Sequence, residues 1–198
     1  MSTSVVAAGQ ETSGGAPNEI DRALGEMLLA AAPALFEGHG VALDFGAQRP
    51  VLDPVAHEGY AGILGFGGTG IKGSVAIYLD DPTVRKSYPS AGSLAGTDED
   101  ILYLRDWTAE LTNQLMGRLK NKLLRSGVDV MLGIPTAVSG VSFTLAYPGQ
   151  TIPQAYDFLW DEGAAVVVLT AEAVPGLTLE EIDDPDAASA GEGELILF

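Results

Sequence analysis

Four residues near the middle of the chain, Asp106, Glu110, Asn113 and Gly117, follow one another at spacings of four, three and four. On a helix, at about 100° per residue, such spacing places them on one line along one face. Leu104, Leu111, Leu115, Met116, Leu119 and Leu123 cluster on the opposite side, in a stripe that takes in Thr108 and Thr112. Any amphipathic helix leaves a polar face in water. This one contains Asn, a mediocre helix former, and Gly, which costs about 1 kcal/mol against Ala in mid-helix. The line therefore reads either as an ordinary solvated face or as a surface kept for contact, where Gly117 lets a partner's backbone come close. The groups it offers are carboxylates and an amide, so any chemistry there is theirs or is borrowed from a partner.

Other candidate sites fall away. Gly65-Phe66-Gly67-Gly68-Thr69-Gly70 matches G-x-G-x-x-G, but a dinucleotide loop must open a helix, and Ile71–Leu79 is β-like. The stretch reads as a glycine-rich hairpin. It fails as a phosphate loop too, because Ile71 stands where the lysine belongs and Lys72 comes one place late. His39 and His57 are the only histidines, neither in a metal-ligand spacing, and cysteine is absent, so zinc and thiolate chemistry are not expected. There is no G-x-S-x-G elbow.

The elements that must position the line can be read around it. Asp98 is placed to cap a long helix reaching about Ser126, where Gly127 stops it. An earlier helix starts from an Asn18 cap, with Ile20, Leu24, Met27, Leu28 and Ala31 at helical spacing. Pro33 should kink or end it, and Gly38 and Gly40 close it. Val41, Leu43 and Phe45 alternate as a strand. Gly59–Phe66 and Ile71–Leu79 read as paired strands, a short helical piece follows Asp81, and residues 89–97 are loop-like. Ala137–Tyr147 reads as one strand. Tyr156, Phe158 and Trp160 alternate before Asp161-Glu162-Gly163 and an apolar run from Ala164 to Thr170, a second hairpin. The sum is an α+β fold: a mostly antiparallel β-sheet packed against two main helices, the long one carrying E-x-x-N. Residues 1–17 are expected to be a flexible tail, 18–171 the domain, and 172–198 an acidic tail, mostly solvated, that ends in an unexplained Leu195-Ile196-Leu197-Phe198.

Charge narrows the function classes. The 198 residues carry a net charge of −17, which argues against nucleic acid and anionic membrane surfaces as partners. Residues 126–198 contain no Lys or Arg, whereas Arg118, Lys120, Lys122 and Arg125 bring four of the ten basic residues into about two turns of the long helix. That cluster reads as a helix end suited to the dipole or as a partner-facing patch. The apolar run Met27–Phe36 is too short to span a bilayer. Together with the lack of cysteine, this suggests a cytoplasmic setting.

Asp106-x3-Glu110-x2-Asn113, followed after twenty-one residues by Pro135, resembles the signature of the CheC/CheX/FliY chemotaxis phosphatases. The stretch from Ile134 to Gly140 and the Gly-rich strand pair, Ile63–Phe66 with Gly73–Val75, resemble their flanking segments. The likeness covers roughly residues 20–170. A single motif on a single helix is more like CheX than two-site CheC. Ala109 departs from the glycine these proteins often carry before the glutamate.

The resemblance implies a hydrolase for the aspartyl phosphate of a CheY-like response regulator. It implies that Glu110 grips the partner beside its phospho-aspartate and that Asn113 orients the attacking water. Asp106, Gly117 and Lys120 would complete the partner contact. No cofactor of its own is expected, since the Mg²⁺ belongs to the regulator, and a homodimer is implied. Two other readings stand beside it: a non-catalytic CheX-like module that docks on a regulator or signalling complex, and a structural homodimer domain using a sheet edge.

Overall fold

A computed structural model describes residues 19–52, 56–147 and 151–179. Its elements run α1 (Glu19–Glu37), β1 (Asp44–Pro50), β2 (His57–Gly68), β3 (Ile71–Leu79), α2 (Asp81–Ser87), α3 (Asp98–Arg125), β4 (Val130–Leu132), β5 (Thr136–Phe143), β6 (Gln154–Trp160) and β7 (Gly163–Ala173). The strands form one sheet in the order β1-β6-β7-β3-β2-β4, with β5 also on β2. Every pairing is antiparallel. The α+β reading holds, with two main helices and the short third one after Asp80.

Period-two alternation in the strands sorts the core into two faces. Tyr60, Leu64, Val75, Ile77, Tyr156, Phe158, Val167 and Leu169 point to one side and share a core with α1 and α3. Their neighbours Ala61, Ala76, Tyr78, Ala155 and Val168 point to the other side and form a smaller cluster. The Gly-rich run is the β2–β3 hairpin, not a nucleotide loop: Gly68 pairs with Ile71, and Gly70 turns the chain at φ 87°, where a side chain would be strained.

Several boundaries differ from those read in the sequence, each for a local reason. α1 runs through Pro33, one of its two expected breaking points, and ends at Glu37, just before the Gly38 expected to close it. The missing Pro N–H costs one backbone bond, about 3 kcal/mol with the ring clash. Leu35 and Phe36, 1% and 0% exposed, offset it at about 1.5–3 kcal/mol each. The cap of α3 is Thr97, one residue before Asp98. It is set there by Asp100, whose buried carboxylate accepts from the backbone N–H of Ala95, Gly96 and Thr97. Val41 and Leu43 are buried but precede β1. β5 stops at Phe143 because Leu145 and Tyr147 leave the ladder to cover the far face of the sheet. The three-residue β4 was not anticipated. Asn18, residues 1–17 and Leu195–Phe198 lie outside the described residues. Within the stretch expected to be solvated, Leu177 and Leu179 pack against the main core.

The contact that seats α3 on the sheet falls at Gly62. A Cβ there would stand 2.7 Å from the Thr108 carbonyl oxygen and closer still to the Thr112 hydroxyl. The hydroxyl can rotate, but the helix backbone cannot yield. Gly62→Ala is therefore expected to lose about 1–3 kcal/mol to overpacking, read as a lower urea midpoint at unchanged slope. An unchanged midpoint would show that α3 does not ride on this glycine.

Candidate active site

Because α3 is anchored by its apolar stripe, the direction of every other residue on it is fixed. Leu104, Leu111, Leu115, Met116, Leu119 and Leu123 are at most 1% exposed, and Thr108 and Thr112 are fully buried among them. Both threonine hydroxyls donate at 2.8 Å to the carbonyl four residues back, Leu104 O and Thr108 O, so the stripe holds no unmet hydroxyl.

The opposite side carries the line foreseen in the sequence. Asp106, Glu110 and Asn113 are exposed. Gly117 is partly covered, yet among the described residues nothing beyond its own stretch of helix lies within 4 Å of where its Cβ would stand. At 1.5 Å per residue the line from Asp106 to Gly117 is about 16 Å long, enough for one side of a protein contact. Asp106 sits 3.8 Å from the Arg105 guanidinium with 78% of its side chain exposed, an ion pair too open to withhold it from a partner. Lys120 stands at the far end, its Nζ 3.6 Å from Asp129 Oδ1. The structure thus brings Asp106, Glu110, Asn113 and Gly117 together and leaves Lys120 at the margin, partly engaged by its own chain.

Glu110 and Asn113 are held differently. The Asn113 amide has no hydrogen-bond partner among the described residues, so both its donor and its acceptor face solvent. Glu110 Oε1 accepts from Gln114 Nε2 at 2.9 Å. The Gln114 oxygen in turn faces His39 Nε2 at 3.1 Å. The His39 ring stands edge-on to Trp107, 4.9 Å between centroids at 87°, and Trp107 Nε1 donates to Ser87 Oγ at 3.1 Å. Gln114 and His39 were not among the residues picked from sequence. The first was within reach, since an amide four residues after a carboxylate is a known helix pair. The second was not, because 75 residues separate it from Gln114.

Among the described residues, no comparable set of groups lies on the far face. A cavity of about 10 Å³ there, room for roughly one water, is lined by Arg49, His57, Tyr78 and Tyr147 among apolar neighbours. The two tyrosine hydroxyls bond each other, and burial pushes both phenols up. Burial, with the Arg49 guanidinium, lowers His57. This is a packed corner, not a reaction centre.

A model of the family described as chemotaxis phosphatase CheX matches residues 60–159, just over half of the chain and every residue of the α3 line. This chain belongs to the chemotaxis phosphatase CheX family. Its function is accordingly that of a phosphatase, a hydrolase. Solved structures agree on the fold. CheX from Vibrio vulnificus is 23% identical with a TM-score of 0.68, over 76% of this chain and 99% of that one. CheX from Desulfovibrio desulfuricans is 16% identical with a TM-score of 0.67, over 76% and 99%. The CheX–CheY–BeF3–Mg²⁺ complex from Borrelia burgdorferi gives 19% identity and a TM-score of 0.61, over 74% and 96%. No relative among functionally curated proteins matches by sequence. Among the described residues of this CheX-family chain, no helix is long and apolar enough to cross a membrane.

Proposed function

We propose that the exposed line of α3 docks on a phosphorylated CheY-like response regulator and removes its phosphoryl group, with Glu110 gripping the regulator and Asn113 holding the attacking water. One observation carries this reading. A carboxylate and an unengaged amide, three residues apart, face outward on the same rigid helix, beside the open position at Gly117.

The chemistry asks little more. An aspartyl phosphate is a mixed anhydride and already activated. Water oxygen attacks phosphorus in line, the bond from phosphorus to the aspartyl oxygen breaks, and a carboxylate and inorganic phosphate are left. Mg²⁺, a lysine and a threonine on the regulator neutralise the phosphoryl charge, so this chain needs no cofactor of its own. What it adds is a positioned water, and positioning alone supplies large rate factors. An amide does this without titrating, which accounts for a site built without histidine at the reacting atoms. The Borrelia burgdorferi complex, in which CheX is found with CheY, BeF3 and Mg²⁺, supports the choice of partner. Purified chain should accelerate loss of phosphate from a phosphorylated regulator. Tight binding with no acceleration would favour the docking module instead.

The same reading includes a cytoplasmic homodimer. The outer edge of β4 and β5 has no strand partner among the described residues. Three of the most exposed apolar side chains, Met131, Ile134 and Val141 at 79%, 90% and 84%, lie along it. Unpaired edges with apolar side chains are usually covered by another chain. Light scattering is expected to give twice the chain mass, and Val141→Lys to reduce it. A monomer at every practical concentration would remove the dimer from the proposal.

A further inference from the structure

We infer that Gln114 and His39 are positioning residues for Glu110, holding its carboxylate in the rotamer from which it meets the regulator. The inference rests on the docking role proposed for Glu110 and deepens it.

The direction of each hydrogen bond follows from the set as a whole. Gln114 turns its amide nitrogen to Glu110 and its oxygen to His39. The flipped amide would face its oxygen to a carboxylate, two acceptors without a proton between them. The Gln114 oxygen therefore needs a donor, and His39 Nε2 must carry its proton.

His39 is a firm anchor for the far end. It follows α1 directly, its backbone N–H donating to Phe36 O at 2.9 Å, and Phe36 is fully buried. Its ring lies against Trp107, which is tied to Ser87, whose hydroxyl donates to Val84 O. The chain of contacts thus joins α3 to the end of α1 and to α2, three elements on one core. A glutamate on an open helix face otherwise samples several rotamers, and binding must freeze it. Here Oε1 is already held by Gln114, and Oε2 is left for the partner's cation.

A simpler role competes with this one. A Gln–Glu pair at i,i+4 stabilises a helix slightly whatever the helix does. The two roles separate in a double-mutant cycle. The probe is a CheY-like regulator held in its beryllofluoride–Mg²⁺ form, titrated against wild type, Gln114→Met, Glu110→Ala and the double variant. Gln114→Met should weaken Kd roughly threefold to tenfold, the range for one side chain that must be immobilised on binding. Turnover at saturating regulator should be unchanged. In the Glu110→Ala background Gln114→Met should have no effect on Kd. His39→Phe, which keeps an aromatic ring against Trp107, should weaken Kd in the same direction and add nothing to Gln114→Met. Wild-type affinity of Gln114→Met overturns the inference, and so does an equal loss with and without Glu110, because Gln114 would then act on its own. If Glu110→Ala itself binds as wild type, the docking role falls and the positioning role with it. A weakened Glu110→Ala beside a normal Gln114→Met removes the positioning role alone.

Discussion

Asn113→Ala is expected to lower dephosphorylation of a phosphorylated regulator by about 100-fold or more, since a water misplaced by about 1 Å already costs that much. The fold should not suffer. Asn113 is exposed, makes no hydrogen bond among the described residues, and sits in mid-helix, where Ala is a better helix former by up to about 0.7 kcal/mol. A slightly raised melting temperature beside a collapsed rate would be hard to explain by damage. Affinity for the beryllofluoride form of the regulator should stay close to wild type, because the amide acts on a water and not on the partner's charges. The check is a single-turnover decay of radiolabelled regulator at saturating phosphatase. Near-normal hydrolysis by a well-folded Asn113→Ala protein would falsify the catalytic role and return the E-x-x-N line to an ordinary solvated face.

That line was legible in the sequence because a helix obeys one period over its whole length. The stripe from Leu104 to Leu123 fixed which side is buried, and everything opposite it had to reach solvent. The strands were legible for the same reason at period two, as in Tyr156, Phe158 and Trp160. Less was legible where tertiary packing competes with local rules. Pro33 is a helix breaker by propensity, yet burial of Leu35 and Phe36 carries the helix past it. Leu145 and Tyr147 continue an alternating run, yet they leave the ladder to cover the far face. Thr97 outranked Asp98 as the cap because the carboxylate of Asp100 already served that turn. The site shows the same division. Glu110 and Asn113 stand on one element and are read together. His39 reaches them only because α1 packs beside α3, and no spacing rule connects residues 39 and 114.

Glu110→Gln is expected to separate binding from chemistry. The substitution keeps the shape of the side chain, and its amide oxygen can still accept from Gln114 Nε2, so the local arrangement survives and only the charge is lost. A carboxylate meeting a desolvated ammonium contributes mainly to docking, and its removal leaves that ammonium poorly paired. Affinity for the beryllofluoride form should fall by about 30-fold or more at low salt, because breaking such pairs costs about 2–5 kcal/mol. Turnover at saturation should fall far less than in Asn113→Ala. Salt supplies an independent sign. The chain carries a net charge of −17, and added salt screens its long-range effect on the partner equally in both proteins. The difference between their salt responses therefore isolates residue 110. Wild-type binding should weaken more steeply with salt than Glu110→Gln, so the two titration curves converge as ionic strength rises. If Glu110→Gln binds as tightly as wild type at low salt, Glu110 is not the docking contact, and the grip on the regulator must come from Asp106 or from the basic end of α3 around Lys120.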